Sequence, residues 1–549
     1  VRRLRAPAPD PAGAPPSGDP GAEWDLLVRA VDQVQSTTAS LRDATARDVG
    51  GAEAGIFDAH LALLADDALL TDARQRVDAG STAAAGWAAA VDRVHTQVAA
   101  LPDPYLRARA ADVRAVGDQV LRVLLGTPPP RPSGTGVLVA ADLTPEQAAG
   151  LDEATVRAVV LAGGSPTSHA AILARARGIP AVVGAGPQAL SLPEGTLVAL
   201  DGEAGTVVVR PDDDVVADHE RRRVDRDRRR AAALAAAAAP ARTTDGTAVR
   251  VACNVGSVQE ARVGTAQGAE GSGLVRTELC FVGRAEEPDV EEQHTLYLEL
   301  ARALGGHRMT LRTLDVGGDK PLPYIPVPHE DNPFLGLRGL RLGLAREQVL
   351  GRQLTAIART ARQTPVDVMF PMVSTVEELR QARHVLDGVL AAEGVTAADG
   401  LRVGIMVEVP AAALKAAAFA GLLDFVSIGT NDLTQYALAA ERGNPHVAGL
   451  SDALDPGVLQ LIGAVGRAGQ GRFDVAVCGE AASDEVAVPL LLGLGVTSLS
   501  VAPSAVATVK QRVRGLDLPA CEQLARRALV AASSQDVRAL VRAEIDPPG

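Results

Sequence analysis

Apolar residues recur at helical spacing through the N-terminal part of the chain. From Trp24 to Val34 they follow the i, i+3, i+4 spacing of one helix face, and similar patterns run through 56–70 and 113–125. These patterns predict a helical bundle over residues 22–125. Residues 1–21 are rich in Pro, Ala and Gly and have no such period, so we expect an irregular leader there.

A different pattern begins after a Pro-rich boundary at 126–136. Short Val-rich runs alternate with short helical stretches, which predicts a compact α/β domain over 126–211. The next segment, 212–240, begins with aspartates, continues through RRRVDRDRRR and ends in alanines. Helix formers with opposite charges spaced to pair predict a solvated linker helix. A basic docking site is the alternative, but the aspartates interrupt the basic run.

From residue 241 to 549 the alternation becomes long and regular. Eight apolar runs are separated mostly by helix-length intervals, which predicts a closed (β/α)8 barrel. An open doubly wound sheet is the alternative, but no G-x-G-x-x-G follows the first strand. The runs lie near 248–253, 273–275, 309–314, 366–370, 402–407, 424–428, 474–477 and 497–501.

Charge and cysteine content exclude some classes of function. The 549 residues include 54 Lys and Arg against 67 Asp and Glu, a net charge of −13, so we expect no nucleic-acid binding. The 4 cysteines are widely separated, without a C-x-x-C pair, which argues against a disulfide framework or a thiolate zinc site. We find no secretory signal and no membrane span, and we expect a cytoplasmic protein without membrane insertion.

Polar residues that follow the predicted barrel strands indicate an active site. The carboxyl ends of the strands meet at one rim, where barrel enzymes carry their chemistry. Arginine forks match phosphate or carboxylate groups, and carboxylates are ligands for Mg²⁺. We therefore predict a small, polyanionic, metal-bound substrate. The residues at these strand ends are Arg276, Arg312, Lys320, Glu408, Asn431, Asp432 and Cys478.

Each of these residues also has an ordinary structural explanation. A single Arg near a strand end is often a surface ion pair, and a single Glu before Pro often begins a helix. Cys478 could be a buried apolar filler, the commonest fate of a free cysteine. Its position between a strand and Gly479-Glu480 instead leads us to expect a thiol exposed on the rim.

A second candidate site lies in the α/β domain, in LAGGSPTSHAAILARARGIPAVVG. Gly163 and Gly164 permit a tight turn, Thr167 or Ser168 can cap, and a helix is predicted from His169 onward. A helix start favours a bound phosphoryl group, since its amide groups are free and its dipole end is positive. The alternative is an ordinary capped helix with an incidental histidine.

The chain resembles the Enzyme I family of the phosphoenolpyruvate:sugar phosphotransferase system, the phosphoenolpyruvate-protein phosphotransferases. The matching motifs span residues 163–493, and the helical bundle occupies the place of the family's HPr-binding subdomain. These motifs are GGSPTSHAAILARARGIPAVVG, GLVRTE, LRTLDVGGDKPLPY, NPFLGLRGLR, IMVEVPAA, IGTNDLTQYALAAERGN and CGEAASD.

The resemblance implies a function for both sites. His169 would take the phosphoryl group of phosphoenolpyruvate at Nε2 and pass it to the carrier protein HPr, with release of pyruvate. Glu408 and Asp432 would bind Mg²⁺, and Cys478 would protonate the enolate carbon. The barrel would also form a homodimer. The residues implied to bind phosphoenolpyruvate are Arg276, Arg312, Asn431, Asp432 and Arg442, with Arg338 and Lys320 close to the same anion.

One departure from the family concerns the start of the chain. Family members usually open with a strand carrying a Ser-Pro-Gly motif that joins the phosphohistidine domain, and nothing before Asp25 matches it. We therefore expect this sheet to lack one strand. Two alternative functions remain: an enzyme of the pyruvate phosphate dikinase or phosphoenolpyruvate synthase type without its ATP module, and a regulatory paralogue without turnover.

Overall fold

The protein is described by a computed structural model that forms two compact units, residues 1–222 and 223–549. The described residues are all except 4–8, 12–17, 49–50, 102–106, 108, 129–133, 153, 165–167, 177, 203, 283, 285, 318–321, 323, 329, 397–398, 442–443, 445–446 and 546–549. Only the backbone is described at 46–48, 51–54, 169, 176, 448 and 545.

The first unit begins with the predicted helical bundle. Its core is centred on Trp87, which is fully buried and donates from its indole nitrogen to the Gly117 carbonyl at 3.1 Å. The apolar stripe predicted from Trp24 to Val34 faces this core through Leu27, Val31 and Val34. The described helices are α1 (Pro20–Asp48), α2 (Gly51–Leu64), α3 (Asp67–Asp78), α4 (Ala83–Ala99) and α5 (Ala110–Leu124).

The α/β part of this unit contains a four-stranded parallel sheet and a separate antiparallel hairpin. The sheet runs in the order β1, β2, β3, β4, and the hairpin joins β5 to β6. The strands are β1 (Arg2–Arg3), β2 (Gly136–Ala140), β3 (Val156–Leu161), β4 (Ala181–Val182), β5 (Val198–Asp201) and β6 (Thr206–Val209). The described helices here are α6 (Pro145–Ala149) and α7 (His169–Ala176).

Strand β1 corrects the expectation of a sheet that lacks a strand, and it places residues 2–3 of the expected irregular leader in that sheet. Residues 4–8 and 12–17 of the leader lie outside the described residues. Arg2 pairs with Leu138 and Arg3 with Val139, in parallel. The Arg3 Nε also donates to the Leu192 carbonyl at 2.8 Å. A strand of two residues shows no alternation, and its ladder partner lies more than a hundred positions away, so no local pattern could predict it.

The bundle and the α/β part share a buried cluster, although the sequence patterns predict them as two separate domains. Ile56 and Phe57 of α2 belong to the same buried cluster as Leu138 of the sheet and Leu173 of α7. Helix α2 therefore fills the core of the α/β part as well as that of the bundle. As a result, residues 1–222 form one compact unit.

The charged segment 212–240 forms helix α8 (Asp213–Ala235), within which the division between the two units falls. Its charges pair along the helix surface, as between Arg222 and Asp218 at 2.7 Å and between Arg228 and Asp225 at 3.0 Å. These side chains are largely exposed, which is consistent with the expectation of a solvated helix.

The second unit contains the predicted closed barrel of eight parallel strands, β7 to β14 in sequence order. The pairing of Leu499 with Val251 joins the last strand to the first, which excludes the open-sheet alternative. Each observed strand overlaps a predicted apolar run. The strands are β7 (Arg250–Val255), β8 (Ser272–Arg276), β9 (Met309–Arg312), β10 (Val366–Phe370), β11 (Arg402–Val407), β12 (Phe425–Ile428), β13 (Asp474–Val477) and β14 (Ser498–Val501).

Helices surround these strands and cover their outward-facing apolar side chains. Among the described residues, no helix is long and apolar enough to span a bilayer. The helices are α9 (Val258–Ala266), α10 (Val290–Ala303), α11 (Leu340–Ala345), α12 (Glu347–Ala361), α13 (Val376–Glu393), α14 (Pro410–Leu414), α15 (Thr430–Leu438), α16 (Pro456–Gly469), α17 (Ala487–Gly493), α18 (Val506–Arg514), α19 (Leu518–Ala528) and α20 (Ser534–Ile545).

Candidate active site

The described strand-end residues meet at one rim of the barrel, because all eight strands run in the same direction. Arg276 and Arg312 are the last residues of β8 and β9, and Glu408 directly follows β11. Asn431 and Asp432 lie in the first turn of α15, after β12. Cys478 follows β13.

Arg312 is a buried cation held by two carboxylates. Its Nη2 donates to Glu278 Oε1 at 3.0 Å, and its Nη1 lies 3.1 Å from Asp315 Oδ2. Its Nε is also buried but has no hydrogen-bond partner among the described residues. Burial opposes the charged form, but the carboxylates outweigh it and raise the guanidinium pKa above its usual value. Arg312 is therefore a fixed positive charge with one donor available to an anion.

Arg338, from the NPFLGLRGLR motif, is held from two sides. Its Nε and Nη2 both donate to the Asp315 carboxylate at 3.1 Å, and Nη2 also reaches Asp432 Oδ2 at 3.2 Å. Its Nη1 lies 3.2 Å from the Tyr436 hydroxyl. Asp315 thus joins Arg312 and Arg338 into one network, since its carboxylate contacts both guanidinium groups.

Glu408 is almost fully buried beside this network. Its Oε1 accepts from the Met372 amide at 2.6 Å, and the structure shows no hydrogen bond to Oε2 from a described residue. Burial raises the pKa of Glu408 to about 8, with a further contribution from the nearby charges of Asp315 and Asp432. Among the described residues, the buried part of the rim holds the carboxyl groups of Glu278, Asp315, Glu408 and Asp432 against the guanidinium groups of Arg312 and Arg338, a charge balance that favours a bound cation.

The donor set of Glu408 and Asp432 fits Mg²⁺. This ion is commonly held by one or two carboxylates, with water and substrate phosphate supplying its other oxygens. Among the described residues, no group of three or more His, Cys, Asp or Glu is arranged as a complete metal site. Protein side chains alone would therefore leave most of the coordination to water and substrate.

Cys478 differs from the sequence expectation, because its thiol is buried and not exposed on the rim. The residue is only 5% exposed and packs inside the barrel with Met369, Met406 and Phe425. Its Sγ lies 3.7 Å from the Ile428 carbonyl. Burial raises the pKa of the thiol to about 11, so it stays protonated at neutral pH. A position directly after a strand predicts that a residue lies at the rim, but it does not predict whether the side chain points into the barrel or toward solvent.

Asn431 and Arg276 lie on the more open part of the rim. The Asn431 Oδ1 accepts from the Glu480 amide at 3.0 Å, which ties the loop after β12 to the loop after β13. The two loops also approach each other closely at Gly479, since a Cβ there would lie 1.9 Å from the Thr430 hydroxyl. The Arg276 side chain is 44% exposed, with Glu260 3.5 Å away.

Sequence reasoning missed Glu278, Asp315 and Tyr436. Each follows a recognised site residue closely, two after Arg276, three after Arg312 and four after Asp432. A weak signal was therefore present, because the loop after a barrel strand commonly carries more than one site residue. Their role in holding the arginines depends on which loops meet at the rim, and the sequence alone does not contain that information.

The remaining predicted residues lie partly outside the described structure. Lys320 and Arg442 are not described, so their place at the rim stays a prediction. His169 begins α7 as expected, and the Ala171 amide donates to the Ser168 hydroxyl at 3.4 Å near this helix start. The His169 side chain is not described.

Comparison with known proteins identifies the family. Residues 2–109, 133–205 and 230–518 match, in that order, the N-terminal domain, the mobile domain and the PEP-binding domain of the PEP-utilising enzymes. A solution structure described as Enzyme I (nEIt) is 29% identical and covers 38% of this chain and 86% of its own. Its TM-score is 0.32, too low to support an argument.

Two curated relatives match nearly the whole chain. A multiphosphoryl transfer protein of Xanthomonas campestris pv. campestris is 40% identical over 98% of this chain, which spans 65% of that protein's length. A phosphoenolpyruvate-protein phosphotransferase of Listeria innocua is 37% identical over 95% of this chain and 93% of its own length. The chain therefore belongs to the PEP-utilising enzymes, in the family of the phosphoenolpyruvate-protein phosphotransferases.

Proposed function

We propose that this chain transfers the phosphoryl group of phosphoenolpyruvate to Nε2 of its own His169 and then to the carrier protein HPr, as the first step of the sugar phosphotransferase system. The observation that carries the proposal is the joint position of Arg312, Arg338, Glu408 and Asp432 on one barrel rim. This rim lies in the segment that matches a PEP-binding domain.

The two buried arginines support binding of the substrate anion. The network fixes both cations, and the Arg312 Nε is a buried donor without a partner among the described residues. Such a donor is costly in an empty site and favourable when an anion accepts from it. The more exposed Arg276 would close on the substrate from the solvent side, together with Asn431, and by resemblance with Lys320 and Arg442.

Glu408 and Asp432 would hold Mg²⁺ when it is bound. The ion would supply positive charge against the phosphate and the developing enolate oxygen. The residues of the chain orient the phosphate, and His169 attacks phosphorus as the bond to the enol oxygen breaks. The pyruvate enolate that leaves would then take a proton at carbon from the Cys478 thiol, which its raised pKa keeps protonated.

The acceptor and the substrate site lie in different compact units, His169 in 1–222 and the rim in 223–549. We propose that α8 permits a rigid-body movement that brings His169 to the rim and then to HPr, so that the two half-reactions are separated in space. The bundle would bind HPr, and the barrel would form the homodimer. The four unpaired cysteines support a reducing compartment, the cytoplasm.

The test is to incubate the purified protein with phosphoenolpyruvate labelled on phosphorus, with and without Mg²⁺ and HPr. We expect Mg²⁺-dependent, acid-labile label on the protein, which HPr removes. His169→Ala should abolish this label and leave phosphoenolpyruvate binding to the barrel unchanged. His384→Ala is the control, since that histidine is exposed on α13 and lies outside the proposed site.

Two results would contradict the proposal. Labelled phosphohistidine at the wild-type level in His169→Ala would place the acceptor elsewhere. Label that requires ATP, or binding of phosphoenolpyruvate without any transfer, would favour the dikinase-like or regulatory alternatives.

A further inference from the structure

Tyr436 contacts Arg338 and the loop that carries it, and sequence reasoning assigned no role to it. It lies four residues after Asp432 on α15, so both side chains share one helix face. The Tyr436 hydroxyl donates to the Phe334 carbonyl at 2.6 Å and accepts from Arg338 Nη1 at 3.2 Å. One hydroxyl therefore joins the helix to the arginine and to its loop.

The loop before Arg338 is organised around the same point. The Glu330 carboxylate accepts from the Leu337 amide at 3.0 and 3.1 Å, which closes the segment 330–337 on itself. The Phe334 ring lies 5.9 Å from the Arg338 guanidinium carbon. The hydrogen bond from the Tyr436 hydroxyl to the Phe334 carbonyl therefore holds the loop segment that sets the backbone position of Arg338.

Two carboxylates and one neutral hydroxyl together hold the Arg338 guanidinium. Asp315 accepts from Nε and Nη2, both at 3.1 Å, and Asp432 accepts from Nη2 at 3.2 Å and from Nη1 at 3.5 Å. The Tyr436 hydroxyl is a neutral acceptor on Nη1 at 3.2 Å, closer than Asp432, so it holds this nitrogen without adding further negative charge at an anion site. A planar fork binds phosphate well only when its orientation is fixed before the anion arrives.

We propose that Tyr436 is a positioning residue for phosphoenolpyruvate binding, whose hydroxyl fixes the Arg338 guanidinium and the 330–338 loop at the barrel rim. This inference rests on the proposed function, because it takes Arg338 to face the substrate anion. It assigns to Tyr436 of the LTQY segment the link between Arg338 and the Phe334 carbonyl of its loop, whereas Asp432 contacts the guanidinium itself.

The first test compares Tyr436→Phe with the wild type in steady-state phosphorylation of HPr. We expect KM for phosphoenolpyruvate to rise at least about 10-fold, the effect of losing a hydrogen bond to a charged group, with little change in kcat. Tyr324→Phe is the matched control, because its hydroxyl donates to the Phe281 carbonyl at 2.5 Å in the same way and it makes no hydrogen bond to an arginine among the described residues. Its KM should not change.

A double-mutant cycle separates positioning from a general structural role. In an Arg338→Lys background, which loses the planar fork, Tyr436→Phe should cause no further rise in KM. An unchanged KM in the single variant, or a fully additive loss in the double variant, would overturn the inference. Failure of the wild type to label His169 would instead contradict the proposed function, so the two failures are distinguishable.

Discussion

The Cys478 thiol illustrates how burial changes the chemistry of a single residue. Packed beside Met369, Met406 and Phe425, it is shielded from water, and its pKa of about 11 keeps it protonated. A thiol with a raised pKa is a poor nucleophile at neutral pH but can donate a proton to a strongly basic carbon. The thiol form is lost only as pH rises toward 11, so this acid should remain available well above neutral pH.

We expect Cys478→Ala to retain single-turnover phosphorylation of His169 and to lose stereochemical control at the methyl carbon of pyruvate. Cleavage of the bond between phosphorus and oxygen needs no thiol, but a proton from one fixed side of the enolate does. The measurement is methyl chirality after reaction of stereospecifically labelled phosphoenolpyruvate in deuterated solvent.

Cys253→Ala is the matched control for this experiment. Cys253 is also a buried barrel thiol, with a pKa that burial raises to about 12, but it packs against Gly264 on the outside of β7. It should give chiral pyruvate like the wild type. If Cys478→Ala gave pyruvate of the same methyl chirality as the wild type, Cys478 would have only a packing role.

At the scale of secondary-structure elements, β1 shows how a very short segment can complete a sheet. Its two residues pair with Leu138 and Val139 at the edge of the sheet. The neighbouring strands β2 and β3 share their buried cluster with α7, the helix that begins at His169. Order at this edge therefore affects the part of the chain that carries the proposed phosphoryl acceptor, His169.

We expect removal of residues 1–3 to destabilise unit 1–222 by about 1–2 kcal/mol, since the ladder bonds and the Arg3 contact with the Leu192 carbonyl are lost. The measurement is the thermal transition of this unit by scanning calorimetry. Replacing Arg2 and Arg3 together by Thr keeps the backbone ladder and should cost less. An equal loss in both variants would show that the side chains, not the strand, stabilise this edge.

At the scale of the whole molecule, each of the two compact units has a hydrophobic core built from its own residues. The core centred on Trp87 lies entirely within 1–222, and the barrel cluster lies entirely within 223–549. Because each unit has its own buried core, each is expected to unfold as its own cooperative transition.

We expect Trp87→Ala to lower the melting temperature of one calorimetric transition by roughly 10 °C and to leave the other unchanged. The loss of a fully buried indole costs about 3–5 kcal/mol, and a unit of this size shifts by about 2–4 °C per kcal/mol. Tyr297→Ala, at a fully buried barrel position, should shift only the other transition. Parallel shifts of both transitions in either variant would mean that the units unfold together.

The sequence by itself determined the element types, the closed barrel and the strand ends where Arg312, Glu408 and Asp432 lie. Apolar period, strand polarity and turn residues are local properties, and parallel strands necessarily bring their carboxyl ends to one rim. The helix start at His169 follows for the same reason, from a glycine turn and a capping residue next to an apolar helical run.

Only the tertiary structure decided the pairing of Arg2–Arg3 with β2 and the packing of α2 in both cores of its unit. It also decided the burial of Cys478 and the hydrogen bonds that Asp315 and Tyr436 accept from Arg338. Each of these features depends on partners distant in the sequence. Their positions are determined by which loops and faces meet after the chain has packed, and residues of the same type at the same spacing could have met solvent instead. Local patterns therefore place residues on elements, whereas burial and side-chain partners arise only from the packed whole.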